Sequence, residues 1–223
     1  MQLYADPIST TSRPILLFLA EHPAAVDFVT VSLMEGGHQK PEYAVLNPNK
    51  CVPTLADGDF VLTESSAILK YLADRTGSAA YPGELHARAR VNQLMDWFNT
   101  GFYRDFGYGV VYPQTLPNYR NENPVTQADV IKAGEERARR WLAVLNDNWL
   151  AEGPFLTGSE VTIADYLGAS YVTIADWIGY DLSDYPKVTA WIEAMRARPS
   201  WGETHAAFDG LVAYMRSQQL QPA

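Results

Sequence analysis

The sequence predicts two parts with different folds, an α/β domain followed by an all-helical domain. Residues 1–76 alternate short apolar strands with helical stretches, whereas strand signals nearly vanish after residue 84. The connecting stretch 77–83, GSAAYPG, combines small residues with two Gly and a Pro, which is typical of a linker. We therefore divide the 223 residues into an α/β domain at 1–76, a linker at 77–83 and a helical domain at 84–223.

Composition narrows the classes of partner. The formal net charge is −9, which disfavours a nucleic-acid partner because phosphate binding requires clustered Lys and Arg. The single cysteine excludes an intrachain disulfide and fits a reducing compartment. The N-terminus lacks a signal pattern, and no run approaches the ~18 apolar residues of a membrane span. We expect a cytoplasmic protein with no membrane partner.

The first domain reads in the order β-α-β-α-β-β-α. Its predicted strands lie at 1–4, 26–31, 52–55 and 59–62, and its helices at 13–20, 42–46 and 63–72. Ser12 is a candidate N-cap for the first helix, and Pro14 suits its first turn. Strands separated by helices imply parallel pairing, while the Asp57-Gly58 turn adds an antiparallel edge. This order is thioredoxin-like.

The second domain is predicted as a bundle of about five helices, at 84–100, 126–150, 161–177, 187–198 and 203–216. One helix start is well defined. Thr162 can cap the third of these helices while Asp165, three residues on, bonds back to the cap N–H. We interpret this capping box as structural.

The stretch 47–67 carries the clearest functional signal. Pro53 begins a strand and cannot donate to a ladder, so it lies where the chain turns in from a loop. If its peptide bond is cis, the backbone of Val52 can pair with the peptide backbone of a ligand. Glu64 and Ser65 begin a helix and offer a carboxylate, a hydroxyl and free N–H groups. Together they predict a pocket for a zwitterionic peptide end.

Two motifs in the first domain carry a family resemblance. They are V-P-T-L-x-D-G-x-F-x-L-T-E-S-x-A-I-L-x-Y-L, from Val52, and L-Y-A-D-P-I-S-T-T-S-R, from Leu3. With T-I-A-D in the second domain, they resemble the cytosolic glutathione S-transferases, specifically theta-like bacterial members. The resemblance spans essentially the whole chain. It implies glutathione as co-substrate, no metal, and a homodimer.

The resemblance also implies one catalytic hydroxyl. The family stabilises the thiolate of glutathione, and a hydrogen bond donated to a thiolate lowers the pKa of the thiol. Ser9, Thr10, Thr11 and Ser12 are the candidates, and Tyr4 is the tyrosine alternative within a strand. The ungapped match to L-Y-x-D-x-x-S-x-x-x-R selects Ser9, with Ser12 as runner-up.

The same register implies the residues that bind glutathione: His38, Lys50, Val52, Pro53, Glu64 and Ser65. One position departs from the family. Many relatives carry Lys or Gln before the Val-Pro pair to contact the glycyl carboxylate, and this chain has Cys51. Lys50, His38 or Lys40 are candidates to supply the missing charge. Cys51 is interpreted as a small half-buried residue, with mixed-disulfide formation as the alternative.

The second substrate is expected beside an aromatic, glycine-interrupted stretch at 97–112. The candidates for this pocket for a small apolar electrophile are Phe102, Tyr103, Arg104 and Phe106, with Phe208 as part of a lid near the C-terminus. Theta-like relatives often carry an arginine near this position, and whether Tyr103 or Arg104 matches it depends on the register of a kinked helix. Core packing is the alternative for at least half of these rings.

The predicted function is attack of the glutathione thiolate on an electrophilic carbon, by addition or by displacement of a leaving group. Halide displacement is a special case of this reaction. A glutathione-dependent isomerase or peroxidase is a second interpretation, because both use the same thiolate. A third is a non-catalytic protein-binding module with the same fold. Intact Val52-Pro53 and Glu64-Ser65 sites argue against this last class.

Overall fold

The computed structural model describes residues 1–219 and contains a four-stranded sheet followed by a helical domain. The strands are β1 (Gln2–Ala5), β2 (Asp27–Thr30), β3 (Thr54–Asp57) and β4 (Phe60–Thr63). They lie in the order β2-β1-β3-β4, with β1 parallel to β2 and antiparallel to β3. Leu3 of β1 sits opposite Phe28 and Leu55 and is buried. The thioredoxin-like prediction is confirmed.

Three helices complete this domain: α1 (Arg13–Glu21), α2 (Pro41–Leu46) and α3 (Ser65–Thr76). Gly77 ends α3 in the left-handed conformation, with φ of 62°, which glycine adopts without strain. Ser12 occupies the N-cap position of α1, as predicted, but its hydroxyl makes no capping hydrogen bond. Its backbone is already helical, with φ of −87° and ψ of −39°, so the side chain cannot reach the cap geometry.

The second domain begins with α4, and as far as residue 219 it is helical apart from loops and a single bridge. Its helices are α4 (Leu85–Trp97), α5 (Tyr103–Phe106), α6 (Tyr112–Thr115), α7 (Pro124–Val144), α8 (Ile163–Val172), α9 (Ala175–Ile178), α10 (Pro186–Arg196) and α11 (Trp201–Gln219). The predicted third helix, 161–177, is divided here into α8 and α9. None of the described helices has the length and hydropathy needed to cross a membrane.

Helices α4, α5 and α6 follow one another through π-helical turns at Phe98–Phe102 and Gly107–Val111. The glycines in these turns allow close approach of aromatic rings. A Cβ at Gly101 would collide with the Trp141 ring, and one at Gly107 would lie 2.7 Å from Tyr103. The glycine interruptions therefore create a kinked helix whose rings pack at short range.

The start of α8 is fixed by the capping box predicted from the sequence. The Asp165 carboxylate accepts hydrogen bonds from the Thr162 N–H at 2.8 Å and the Thr162 hydroxyl at 2.9 Å. It also accepts from the Leu156 N–H at 2.9 Å and the Trp191 indole N–H at 3.0 Å. Asp165 is fully buried. One carboxylate thus joins a loop, α8 and α10.

The two domains meet where α1 packs against α8 and α11. Arg13, the first residue of α1, is fully buried at this contact. Its guanidinium donates to the Thr173 hydroxyl at 3.1 Å and the Ser170 carbonyl at 3.0 Å, and it lies 3.7 Å from the centre of the Phe208 ring. Burial lowers the pKa of Arg13 to about 10, so the side chain remains charged at neutral pH.

We expect Asp165→Ala to lower the free energy of unfolding by about 3 kcal/mol, because it leaves several buried donors without an acceptor. Denaturant titration monitored by tryptophan fluorescence measures this change. Asp184→Ala removes an exposed loop carboxylate and is the control, with an expected change below about 0.5 kcal/mol. Equal effects of the two substitutions would contradict the assigned role.

Candidate active site

The hydroxyl-rich loop before α1 holds Ser9 in a defined orientation. The Ser9 Oγ accepts from the backbone N–H groups of Thr11 and Ser12, both at 3.3 Å, and lies 3.0 Å from the Thr11 Oγ1. The Asp6 carboxylate holds the loop by accepting from the N–H groups of Ile8 at 3.0 Å and Leu33 at 2.7 Å. Ser9 therefore lies in the loop just before the N-terminus of α1, with its Oγ held by backbone N–H groups and by the Thr11 hydroxyl.

The neighbouring hydroxyls have different surroundings. Ser12 is fully buried, and its Oγ has no hydrogen-bond partner within residues 1–219. Thr10 is 6% exposed and lies 3.0 Å from the Tyr112 hydroxyl of the second domain. Thr11 is half-buried and donates to the Val52 carbonyl at 2.9 Å. The hydroxyls of this loop thus differ in their partners: Ser9 and Thr11 contact each other, Thr10 contacts Tyr112, and Ser12 has none among the described residues.

The segment before β3 presents its backbone beside this loop. The Val52–Pro53 peptide bond is cis. The Cys51 carbonyl accepts from the Tyr43 hydroxyl at 2.6 Å and the Asn47 amide at 2.7 Å, which ties the segment to α2. Val52 is 7% exposed, and within the described residues its N–H has no hydrogen-bond acceptor. A ligand with a peptide backbone can pair there.

Glu64 precedes α3 in a strained conformation. It is exposed and has φ of 69° and ψ of 116°, a region that non-glycine residues rarely adopt. Such strain costs about 1–3 kcal/mol and concentrates at binding sites. Ser65, the first residue of α3, is 6% exposed, and the first N–H groups of the helix point to the same end. This arrangement offers a carboxylate, a hydroxyl and backbone donors together.

The predicted charged contacts lie in loops on either side of the sheet edge. His38 belongs to a short 3-10 turn at Gly37–Gln39 and is half-buried. Lys50 is exposed, with a positive φ of 54°. Cys51 is an exposed free thiol rather than a half-buried one, so that interpretation was wrong. Its Sγ–H donates to the Asn49 carbonyl at 3.3 Å.

A cluster of tyrosines from the second domain faces the hydroxyl loop. The Tyr112 hydroxyl, beside Thr10, lies 2.5 Å from the Tyr103 hydroxyl. The Tyr103 ring stacks on Tyr171 with centroids 4.1 Å apart. Burial raises the pKa of Tyr103 and of Tyr112, and it raises the pKa of Tyr108 to about 12. These phenols therefore remain protonated at neutral pH and act as hydrogen-bond donors.

Four predicted pocket residues lie elsewhere. Phe102 and Phe106 are fully buried core residues, and Phe208, 1% exposed, covers the Arg13 guanidinium. Arg104 has a 64% exposed side chain that pairs with Asp105 at 3.0 Å on the side facing α7. Of the predicted set, only Tyr103 reaches the tyrosine cluster. Core packing, the stated alternative, accounts for the phenylalanines.

The different positions of Tyr103 and Arg104 depend on the π-helical turn at Phe98–Phe102. One extra residue in a turn rotates all later side chains by about 100° relative to a regular helix. In this register Tyr103 contacts Tyr112, while Arg104 pairs with Asp105 on the side facing α7. The sequence prediction did not include Tyr112 among the pocket residues, although it ends the aromatic stretch, and it gave no specific role to Thr11.

Within residues 1–219, no group of three or more His, Cys, Asp or Glu side chains is arranged to hold a metal ion.

Comparisons with known proteins identify the family. Residues 1–74 match the model of the glutathione S-transferase N-terminal domain, and residues 111–199 match that of the C-terminal domain. Human glutathione S-transferase theta-2 is 32% identical over 212 residues, covering 92% of this chain and 86% of the relative. Bovine glutathione S-transferase theta-1 is 31% identical over 229 residues, covering 100% and 92%.

Solved structures agree. A human theta-class glutathione transferase in complex with the glutathione conjugate of 1-menaphthyl sulfate aligns with a TM-score of 0.85 at 29% identity, covering 98% of this chain and 91% of that one. A delta-class glutathione transferase of Nilaparvata lugens aligns with a TM-score of 0.81 at 29% identity, covering 96% and 99%. The chain therefore belongs to the glutathione S-transferase family, as predicted, and is a theta-like enzyme that conjugates glutathione.

Proposed function

We propose that this transferase activates the thiol of glutathione with the Ser9 hydroxyl for attack on a small, largely apolar electrophile. The observation that carries the proposal is the polarised Ser9 hydroxyl, whose Oγ accepts two backbone N–H groups at the start of α1. Domain 1–76 binds glutathione, domain 84–223 provides the electrophile side, and 77–83 joins them. The enzyme acts in the cytoplasm.

The chemistry requires a lowered thiol pKa. A free thiol has a pKa of about 8.5, so it is mostly protonated at neutral pH. A hydrogen bond from Ser9 to the charged form lowers this pKa, and each unit corresponds to about 1.4 kcal/mol. The N-terminus of α1 adds a favourable dipole for the developing negative charge. Ser12 is buried without access to a ligand, which favours Ser9 over the runner-up.

Glutathione binds along the backbone described above. Its cysteinyl N–H and carbonyl pair with the carbonyl and N–H of Val52, in the manner of an added strand, next to Pro53. The ammonium of the γ-glutamyl end pairs with Glu64, and its carboxylate accepts from Ser65 and the first N–H groups of α3. Strain at Glu64 supports this assignment, because it directs the side chain toward a ligand.

The glycyl carboxylate requires a positive charge, which Cys51 does not provide. Lys50, immediately before it, is exposed and lies in the same loop. His38 contributes from the turn after β2, where its Nδ1 is buried and has no hydrogen-bond partner within residues 1–219.

The tyrosine cluster indicates the class of electrophile. Tyr103 and Tyr112 combine aromatic faces with two protonated hydroxyls beside the loop of Ser9. Such donors stabilise negative charge that develops on an oxygen of the electrophile. This favours addition to an activated alkene or an epoxide over halide displacement. Isomerase or peroxidase chemistry would use the same thiolate, but no residue here specifically favours it.

A homodimer is supported by exposed apolar residues on one edge of the sheet and at the start of the helical domain. Phe60 and Val61 of β4 are 50% and 39% exposed, and Leu85 at the start of α4 is 74% exposed. A second copy of the chain would remove this apolar surface from water.

We expect Ser9→Ala to bind glutathione with a thiol pKa near 8.5, whereas the wild-type complex ionises at lower pH. The thiolate absorbance of the complex, followed across pH, measures both values. At pH 6.5, kcat/KM should fall about 100-fold, and the loss should shrink as the pH rises through the thiol pKa. Ser12→Ala is the control and should leave the thiol pKa unchanged. The reverse pattern would transfer the role to Ser12.

Glu64→Gly should raise the free energy of unfolding by about 1 kcal/mol, because glycine adopts positive φ without strain but loses more entropy on folding. The same substitution should weaken glutathione binding about tenfold through loss of the carboxylate. Chemical denaturation and calorimetric titration measure the two effects. Glu64→Ala is the matched variant: it should weaken binding without stabilising the fold. Stabilisation by both would show that the gain does not come from relieved strain.

Tyr112→Phe should lower kcat/KM about tenfold for an α,β-unsaturated ketone and leave it unchanged for an alkyl iodide. The reason is that only the ketone develops negative charge on an oxygen that the phenol can reach. Steady-state kinetics with both substrates measure the difference, and Tyr119→Phe, a partly exposed neighbour of Tyr112, is the control. Equal loss with both substrates would assign Tyr112 a packing role.

A further inference from the structure

A chain of hydrogen bonds connects the Ser9 hydroxyl to the Val52 backbone through Thr11. The Ser9 Oγ lies 3.0 Å from the Thr11 Oγ1, which in turn donates to the Val52 carbonyl at 2.9 Å. A hydroxyl has one proton, and a carbonyl oxygen can only accept. Because Thr11 gives its proton to Val52, the proton between Ser9 and Thr11 belongs to Ser9. The direction of the chain is therefore fixed from Ser9 to Thr11 to Val52.

In this direction, both groups that the proposed function requires for glutathione, the Ser9 proton and the Val52 carbonyl, already have a hydrogen-bond partner. The Ser9 proton points to Thr11, although a thiolate needs it as a donor. The Val52 carbonyl accepts from Thr11, although the cysteinyl N–H of glutathione needs it as an acceptor. Thr11 thus contacts both the proposed thiol-activating group, Ser9, and the proposed peptide-binding group, Val52.

We propose that Thr11 is a positioning residue whose hydroxyl reverses this chain when glutathione binds. The cysteinyl N–H takes the Val52 carbonyl, the Thr11 hydroxyl turns to donate to the Ser9 Oγ, and the Ser9 proton turns to the thiolate. Only O–H bonds rotate, so no covalent bond forms or breaks. The inference rests on the proposed role of Ser9 and extends it by naming the group that couples peptide binding to thiol activation.

The local geometry permits the reversal. The two backbone N–H contacts to the Ser9 Oγ are long, at 3.3 Å, so the shorter contact from Thr11 can occupy one of the oxygen lone pairs. Thr11 is half-buried, and its Oγ1 is already within hydrogen-bond distance of both partners. In the reversed chain each donor polarises the next, which strengthens the bond from Ser9 to the thiolate.

The test compares Thr11→Val, which keeps the shape and removes the hydroxyl, with Thr11→Ser, which keeps the hydroxyl. Two quantities are measured: the pKa of bound glutathione from its thiolate absorbance, and the dissociation constant of S-methylglutathione, which has no thiol to ionise. Circular dichroism verifies the fold of each variant. Ser9→Ala is measured alongside to establish that the thiol responds to Ser9.

Thr11→Val should raise the thiol pKa by about half a unit to one unit, because Ser9 loses the donor behind it. At a pH below the thiol pKa, kcat/KM should fall about three- to tenfold, and the difference should vanish above that pKa. S-Methylglutathione should bind Thr11→Val at least as tightly as the wild type, because the Val52 carbonyl no longer has to release Thr11. Thr11→Ser should match the wild type in both measurements.

Three outcomes would overturn the proposal. If Thr11→Val leaves the thiol pKa unchanged while Ser9→Ala raises it, the coupling through Thr11 is wrong and the role of Ser9 stands. If Thr11→Ser behaves like Thr11→Val, or if both lose affinity for S-methylglutathione, Thr11 acts through packing. If the thiol in the wild-type complex does not respond to Ser9→Ala, the proposed function itself fails and the coupling fails with it.

Discussion

The active site depends on the way in which α1 is held between the two domains. At its start, the buried Arg13 guanidinium donates to Thr173 and to the Ser170 carbonyl of the second domain. At its end, the Glu21 carboxylate accepts from the Tyr166 hydroxyl at 2.6 Å and from the guanidinium of Arg198. Because a buried charge is costly unless it is hydrogen-bonded, these contacts favour the observed docking of α1 over others. The loop of Ser9 ends where that docked helix begins, so the docking of α1 also positions the loop.

The substrate side follows from the same constraint. With α1 held in place, the Thr10 hydroxyl contacts the Tyr112 hydroxyl across the domain boundary, and the tyrosine cluster faces the hydroxyl loop. Helix α8 takes its own position from the buried Asp165 carboxylate, which also holds Trp191 of α10. The stability of the helical domain and the geometry of the site therefore share elements. A substitution that destabilises α8 would therefore displace the partners of α1 even though it changes no group that contacts the substrates.

The sequence predicted what depends on local pattern and missed what depends on helix register. The succession of strands and helices and the cap formed by Thr162 and Asp165 follow from short motifs, and they agree with the structure. Parallel pairing of strands separated by helices holds for β1 and β2 but not for β3, which runs antiparallel to β1. The choice between Tyr103 and Arg104 stayed open because a π-helical turn precedes both residues, and periodicity cannot detect one added residue. Gly101 is visible in the sequence as an interruption of the helix, but the reason for it is the ring of Trp141, which is distant along the chain.

The hydroxyl loop at 9–12 also has features that the sequence could not predict, namely the hydrogen-bond partner of each hydroxyl. In sequence, the four consecutive hydroxyls at 9–12 are all candidates, and only the family resemblance selects Ser9 among them. In the structure their partners differ, because the acceptor for Thr11 comes from Val52 and the partner of Thr10 comes from Tyr112, both distant along the chain. Each hydroxyl has one proton to give, so the acceptor that takes it decides what the residue can do. In the proposed coupling, Thr11 for this reason acts on the thiol only through Ser9, whereas the Ser12 hydroxyl has no partner among the described residues.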